Sequence, residues 1–162
     1  MRLRKLERMT PFWKRKKLAD MSAAEWEAIC DRCGSCCLHK LQDVETGDIA
    51  FTNIACRQLD LETCKCSDYC RRKRIVPDCI DLNHHNLRKL EWLPNTCAYR
   101  LLDEGKELFW WHPLVSGDPE TVHSAGISVR GKSICEDDVE DVKEHIEKWL
   151  VKRIDPSTHN DR

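Results

Sequence analysis

Apolar positions along the chain are unevenly spaced, and regular periodicity survives only in short stretches. Trp26 and Ile29 fall on one helical face. The preceding Ser22-Ala23-Ala24-Glu25 has the form of a capping box, in which serine and glutamate each satisfy the other's orphan amide. This predicts a short helix with Cys30 near its last turn and Gly34 as its stop. Leu38 to Val44 and Ile49 to Ile54 read as two short strands, joined by a hairpin turn at Glu45-Thr46-Gly47-Asp48. Asn83 is placed to cap a helix running to about Leu90, with Pro94 ending that segment. Thr96 is placed to cap a second helix through Tyr99, Leu101 and Leu102 that stops at Gly105. Phe109-Trp110-Trp111-His112-Pro113 reads as an aromatic loop, and Ile127-Ser128-Val129-Arg130 as a strand. Val139, Val142, Ile146 and Trp149 recur at helical spacing and predict one apolar face near the C-terminus.

Between Cys56 and Cys79 this periodicity fails. The stretch is polar and dense in cysteine, so apolar burial alone would hardly hold it in one conformation, whereas a bound metal would. There is no internal repeat and no domain linker. The expected product is α+β: one small domain of short helices and a small β-hairpin or sheet around cysteine-rich loops. Residues 11–154 make the domain, behind a basic extension at 1–10 and before a flexible tail at 155–162.

Composition places the chain among globular proteins, with 41% hydrophobic and 34% charged residues. No apolar run approaches the ~20 residues of a membrane helix. The first 17 residues carry eight Lys or Arg against one Glu, without the apolar centre of a secretory signal. A cytoplasmic location and no membrane association are therefore expected. The net charge of −1 gives no global reason to expect nucleic acid, and the basic N-terminus reads as a solvated lead-in.

That location changes the meaning of the cysteines. Eleven are present, ten of them between Cys30 and Cys97. The cytosol keeps thiols reduced, and an odd count fits a disulfide framework poorly. Metal ligation is the remaining reason to crowd them. Cys30-Asp31-Arg32-Cys33-Gly34-Ser35-Cys36-Cys37 holds two successive two-residue gaps. One such gap lets a tight turn aim two sulfurs at one ion, as in zinc sites; two gaps in succession place three thiolates around a cluster face, as in ferredoxins. Neighbouring side chains of an extended segment point opposite ways, so Cys36 and Cys37 suit two centres meeting at one peptide. Packing of Cys37 as a small hydrophobe is the plain alternative. The second group is Cys56, Cys64, Cys66, Cys70, Cys79 and Cys97. The one-residue gap of Cys64-Lys65-Cys66 suits one ligand beside one bystander. The basic run Arg71-Arg72-Lys73-Arg74 precedes Cys79 and would favour thiolate there, although such runs are ordinarily solvated. Cys97 falls near a predicted helix N-terminus, where the dipole favours thiolate. Cys135 lies apart and reads as a packed or free thiol. His39 could complete a mixed site; His84 and His85 read as surface, and His112 as a hydrogen-bonded structural residue.

These residues resemble the YcgN-type proteins, an uncharacterised bacterial group of the YkgJ class of zinc- or iron-chelating proteins. The likeness runs through Cys30-x-x-Cys33-Gly34-x-Cys36-Cys37-Leu38-His39-Lys40, Phe51-Thr52-Asn53-x-Ala55-Cys56-Arg57-Gln58-Leu59, Thr63-Cys64-x-Cys66 and Pro77-Asp78-Cys79. It continues in Trp92-Leu93-Pro94-x-Thr96-Cys97-Ala98-Tyr99-Arg100-Leu101-Leu102, Trp111-His112-Pro113-Leu114 and Ile127-Ser128-Val129-Arg130, and covers about residues 11 to 150. It implies a cytoplasmic bacterial protein with a cysteine cluster and brings no established activity. Its pattern takes in Cys30, Cys33, Cys36, Cys37, Cys56, Cys64, Cys66, Cys79 and Cys97 as metal ligands, and leaves out Cys70 and Cys135. The expected cofactor is an iron–sulfur cluster or iron, with zinc as the alternative. Three functions compete: a metal-binding protein; an iron–sulfur enzyme or electron carrier using Tyr99, Trp110, Trp111, His112 and Arg130; and a zinc-stabilised interaction module with an unidentified protein partner. No nucleotide-binding loop or nucleophile elbow is present.

Overall fold

The computed structural model of the chain describes residues 10–147. Its centre is a three-stranded mixed sheet in the order β1, β2, β3. β1 (Leu38–Gln42) and β2 (Ile49–Ala55) form the predicted antiparallel hairpin, in register from Leu38 opposite Ala55 to Gln42 opposite Ile49, with a bulge between Leu38 and Lys40. The turn closes earlier than expected. The Asp43 carboxylate accepts from the amides of Glu45 and Thr46, both at 2.8 Å, so β1 stops at Gln42 instead of Val44. β3 (Ile134–Cys135) runs parallel to the end of β2. The predicted strand at residues 127–130 is instead turn structure; Val129 there is fully buried, and its amide donates to the Cys33 carbonyl at 2.8 Å.

The helices are one or two turns long. α1 is Phe12–Arg15 and α2 is Ala23–Ile29, and Ser22 and Glu25 form the reciprocal capping box at the start of α2. α2 ends at Ile29, four residues before Cys33, so Gly34 is not its stop. Gly34 takes φ +80° at the head of the 3₁₀ turn Ser35–Cys37. α3 is Arg72–Ile75. α4 is Ala98–Asp103 with Cys97, not Thr96, at its N-cap, and Gly105 follows it at φ +70°. The helix expected from Asn83 shrinks to a 3₁₀ turn at Leu87–Lys89. Asn83 spends its side chain on an Asx turn, accepting from the amides of His85 and Asn86. The C-terminal helix is likewise replaced by 3₁₀ turns at Glu136–Asp138 and Val142–His145. Val142 and Ile146 are exposed, and Ile146 bridges to Thr52 beside β2. Trp149, the 1–9 stretch and the expected tail lie outside the described residues.

Three apolar clusters surround the cysteine loops. Ile29, Leu87, Leu93, Ala98, Tyr99 and Leu108 pack α2 against α4, with Trp13, Trp26 and Trp92 at their border. Leu38, Ala55, Leu59, Cys64 and Val129 back the hairpin. Leu101, Phe109, Trp111 and Val122 close the far side, where the rings of Phe109 and Trp111 stack at 4.3 Å. Among the described residues no helix is long and apolar enough to cross a membrane.

Candidate metal centre

All eleven cysteines are free thiols. Cys30 is the C-cap of α2, and the chain then reverses through two left-handed residues, Arg32 (φ +62°) and Gly34 (φ +80°). These reversals turn backbone donors inward. The Arg32 amide donates to Cys30 Sγ at 3.4 Å, the Cys33 amide donates to Asp31 Oδ1 at 3.0 Å, and the Ser35 amide favours the thiolate of Cys33. Donation of N–H to sulfur stabilises thiolate. Gly34 is required on two counts: its φ is positive, and a Cβ there would stand 2.7 Å from Val129 Cγ2.

Cys36 acts electrostatically on Cys30, Cys33 and Cys97, Cys97 acts on Cys30, and Cys30 acts on Cys33. Desolvation pushes the thiol of Cys30 far up, and Cys36, Asp31 and Cys97 add to it. Desolvation, then Asp31 and Cys36, raise Cys33. Cys36 is raised first by its hydrogen bond with Cys37, then by desolvation. Desolvation lifts Cys97 to about 12, against the first-turn amides of α4. Cys30 and Cys36 nevertheless keep solvent-exposed surface, so the group has an open side.

A second group lies on the other side of the Cys36–Cys37 turn. Cys56 follows β2, and its amide donates to the Cys37 carbonyl at 2.9 Å. Its thiol is raised by desolvation, then by Glu136, Cys79 and Cys66, while the Gln58 amide at 3.5 Å opposes this. Cys79 is raised by desolvation and by Cys66 and Cys36, and lowered by Arg72. Cys36 thus acts on both groups. Among the described residues, no three Cys, His, Asp or Glu side chains already stand in a geometry that would hold a metal ion. The chemistry of the donor set nonetheless suits one: thiols near enough to raise one another would lose their mutual repulsion as thiolates on a shared cation.

The structure parts Cys64 from Cys66. Cys64, at φ +54°, is 5% exposed and packs with Leu38, Ala55, Leu59 and Val129 on the far side of Gly34. The Arg130 guanidinium, the Arg130 amide and the Ser128 hydroxyl act on it, and none of the grouped cysteines is among its strongest influences. Cys66 bridges back to Leu59 and is turned toward Cys56 and Cys79. Cys70 is exposed, and Cys135 sits in β3 opposite Ala55.

Among the described residues, the candidate histidines are engaged with other partners or exposed. His39 Nε2 pairs with Glu136 Oε2 at 2.7 Å. His84 and His85 are exposed. His112 is 2% exposed: its Nε2 meets the Ile29 carbonyl at 2.8 Å, and its Nδ1 accepts from the Leu114 amide at 3.0 Å. An accepting Nδ1 assigns the proton to Nε2, which donates to Ile29. Both nitrogens are therefore used, and the ring fastens the end of α2 to the aromatic loop. Tyr99 donates to the Trp26 carbonyl at 2.8 Å, and Arg130 pairs with Glu120 at 2.7 Å. Clefts of about 370 Å³ beside Leu87 and Arg100 and of about 320 Å³ beside Trp26 and Tyr69 have no cysteine in their walls.

Two further residues, with no metal-ligand signature in the chain, lie against the cysteines. Asp31, 5% exposed, sits between Cys30 and Cys33, and burial raises its carboxyl despite the Cys33 amide and His112. Lys40 points its ammonium into the Cys36–Cys37 turn, where desolvation lowers it to about 8 against the opposing pull of Cys36, Cys37 and Cys33. The signal for Asp31 was its place inside the two-residue gap; Lys40 has none beyond following the motif.

Residues 29–98 match a family model described as "CxxCxxCC: Putative zinc- or iron-chelating domain". A UPF0260 protein of Rhizobium meliloti is 56% identical over 142 residues, spanning 86% of this chain and 92% of the relative. Another, of Sinorhizobium medicae, is 57% identical over 141 residues, spanning 86% and 91%. A third, of Rhizobium etli, is 55% identical, spanning 86% and 89%. No solved structure matches the chain.

Proposed function

The chain belongs to the UPF0260 family, and we propose that it chelates iron, as an iron–sulfur cluster or as iron alone, or zinc in its place, through two thiolate groups that share the Cys36–Cys37 turn. The first is Cys30, Cys33, Cys36 and Cys97. The second is Cys37, Cys56, Cys66 and Cys79. The observation that carries this reading is that Cys30, Cys33 and Cys97, from a helix end, the reversal after it and a helix start, all come within the electrostatic reach of Cys36 in its 3₁₀ turn. Four thiolates satisfy one zinc ion or one four-iron cluster. Cys64 is left out because it is buried inside the apolar cluster behind the hairpin and no grouped cysteine is among its strongest influences, whereas Cys37 only borders that cluster, half-buried.

Bound metal would supply the cross-link that the irregular 56–79 stretch lacks. The protein supplies thiolate ligands, backbone N–H donors to sulfur, and an open side at Cys30 and Cys36 for entry. A reducing, cytoplasmic setting keeps the thiols available. The metal-binding reading is favoured over the enzyme reading because Tyr99, Trp111 and His112 are buried in packing and internal hydrogen bonds. The test is anaerobic purification followed by metal and acid-labile sulfide analysis with an absorption spectrum. Iron with sulfide and absorbance near ~400 nm identifies a cluster; a colourless protein with stoichiometric zinc identifies zinc. A preparation that carries neither metal, and takes up neither after reduction, overturns the proposal.

A further inference from the structure

Lys40 follows Cys37 by three residues on β1, and its side chain turns back over the turn that carries Cys36 and Cys37. The ammonium donates to the carbonyls of Leu38 at 2.6 Å, Cys36 at 3.2 Å and Ser35 at 3.3 Å. It also stands 4.2 Å from the centre of the Trp92 ring. The charges that act on it are those of Cys36, Cys37 and Cys33. Three carbonyls and an aromatic face hold an ammonium in place, but they do not cancel its charge.

A thiolate centre has the opposite excess. Four thiolates on one divalent cation leave a net charge of about −2, which is costly where water is scarce. We propose that Lys40 is the charge-compensating positioning residue of this centre: it clamps the Ser35–Leu38 backbone that carries the two adjacent thiols, and its ammonium offsets part of the negative charge that the ligated thiolates carry. This rests on the metal-binding reading and adds a residue that binds no metal itself.

Cobalt(II) titration of the reduced, metal-free full chain tests it, read by the thiolate-to-cobalt absorption band. Lys40→Met should weaken cobalt binding by about 10- to 100-fold, the range found for residues that orient metal ligands. Lys40→Arg, which keeps the charge, should recover most of that loss. Urea unfolding of each metal-free variant separates binding from folding. Wild-type affinity in folded Lys40→Met overturns the proposal, and so does a Lys40→Arg protein as weak as Lys40→Met. If Lys40→Met does not fold, Lys40→Gln carries the same comparison; failure of both to fold makes Lys40 a fold-holding residue and overturns the charge role. A wild-type protein that takes up no cobalt, zinc or iron overturns the metal-binding reading itself, a result distinct from equal binding by wild type and variant.

Discussion

Replacing Cys64 with alanine removes a sulfur from an apolar cluster, whereas replacing Cys33 removes one from the thiol group. Cys64→Ala should cost on the order of 1 kcal/mol of stability and leave metal content unchanged. Cys33→Ala should lower metal content sharply. Metal analysis of the two purified variants checks this, and equal metal loss would return Cys64 to the ligand set. Gly34 is the other sensitive position. An alanine there must adopt φ +80° and push its Cβ to 2.7 Å from Val129 Cγ2, so Gly34→Ala should destabilise the protein by about 1–3 kcal/mol in urea unfolding. A Gly34→Ala protein as stable as wild type would mean that the Cys33–Ser35 turn is not held against Val129. The one-residue gap of Cys64 and Cys66 already hinted at one ligand and one bystander. Taking Cys64 as the bystander is our proposal, and it rests on the burial and left-handed backbone at Cys64, which no residue type announces.

Among the elements, α2 matters most because it delivers Cys30. Its start was legible: Ser22 and Glu25 cap each other through local hydrogen bonds that need no tertiary help. Its end was not, because the Ile29 carbonyl is satisfied by His112, 83 residues away. Burial lowers the pKa of His112 from its ordinary 6.5, with the Ile29 hydrogen bond and Asp31 opposing. The unfolded chain therefore takes up a proton near pH 6.5 before the folded one does, and stability falls as pH drops through that value. Above it the contribution is fully present. Urea midpoints at pH 7.5 and 5.5 should differ in that sense, and His112→Gln should flatten the difference. A pH dependence unchanged by His112→Gln would assign the effect to a group other than His112, and other than Asp31, whose raised carboxyl works in the opposite direction. The missing helices have a similar cause. Asn83 closes an Asx turn, and Ile146 bridges to the side of β2, so tertiary and local polar bonds override the apolar spacing.

For the whole molecule, the apolar clusters are modest and the loops between Cys56 and Cys97 hold only one-turn helices. Metal should therefore contribute folding free energy there, as a ligand that binds the folded chain alone. Removing metal with a chelator should lower the melting temperature. Amide exchange should then quicken first in residues 30–37 and 56–79, while β1 and β2 keep their protection. Uniform loss of protection over the whole chain would show that the hairpin is not an independent support. The class of chemistry was legible in the chain alone, because thiol crowding and spacing favour metal ligation and an odd count fits disulfides poorly. The sequence by itself also determined the capping box and the hairpin, since both are set by neighbours a few residues apart. Tertiary packing alone buries Cys64 in the apolar cluster behind the hairpin, brings Cys97 within electrostatic reach of Cys30 and Cys36, and turns Lys40 over the Cys36–Cys37 turn. Those outcomes depend on which distant segments meet, and local spacing says nothing about the direction from which a partner 60 residues away arrives.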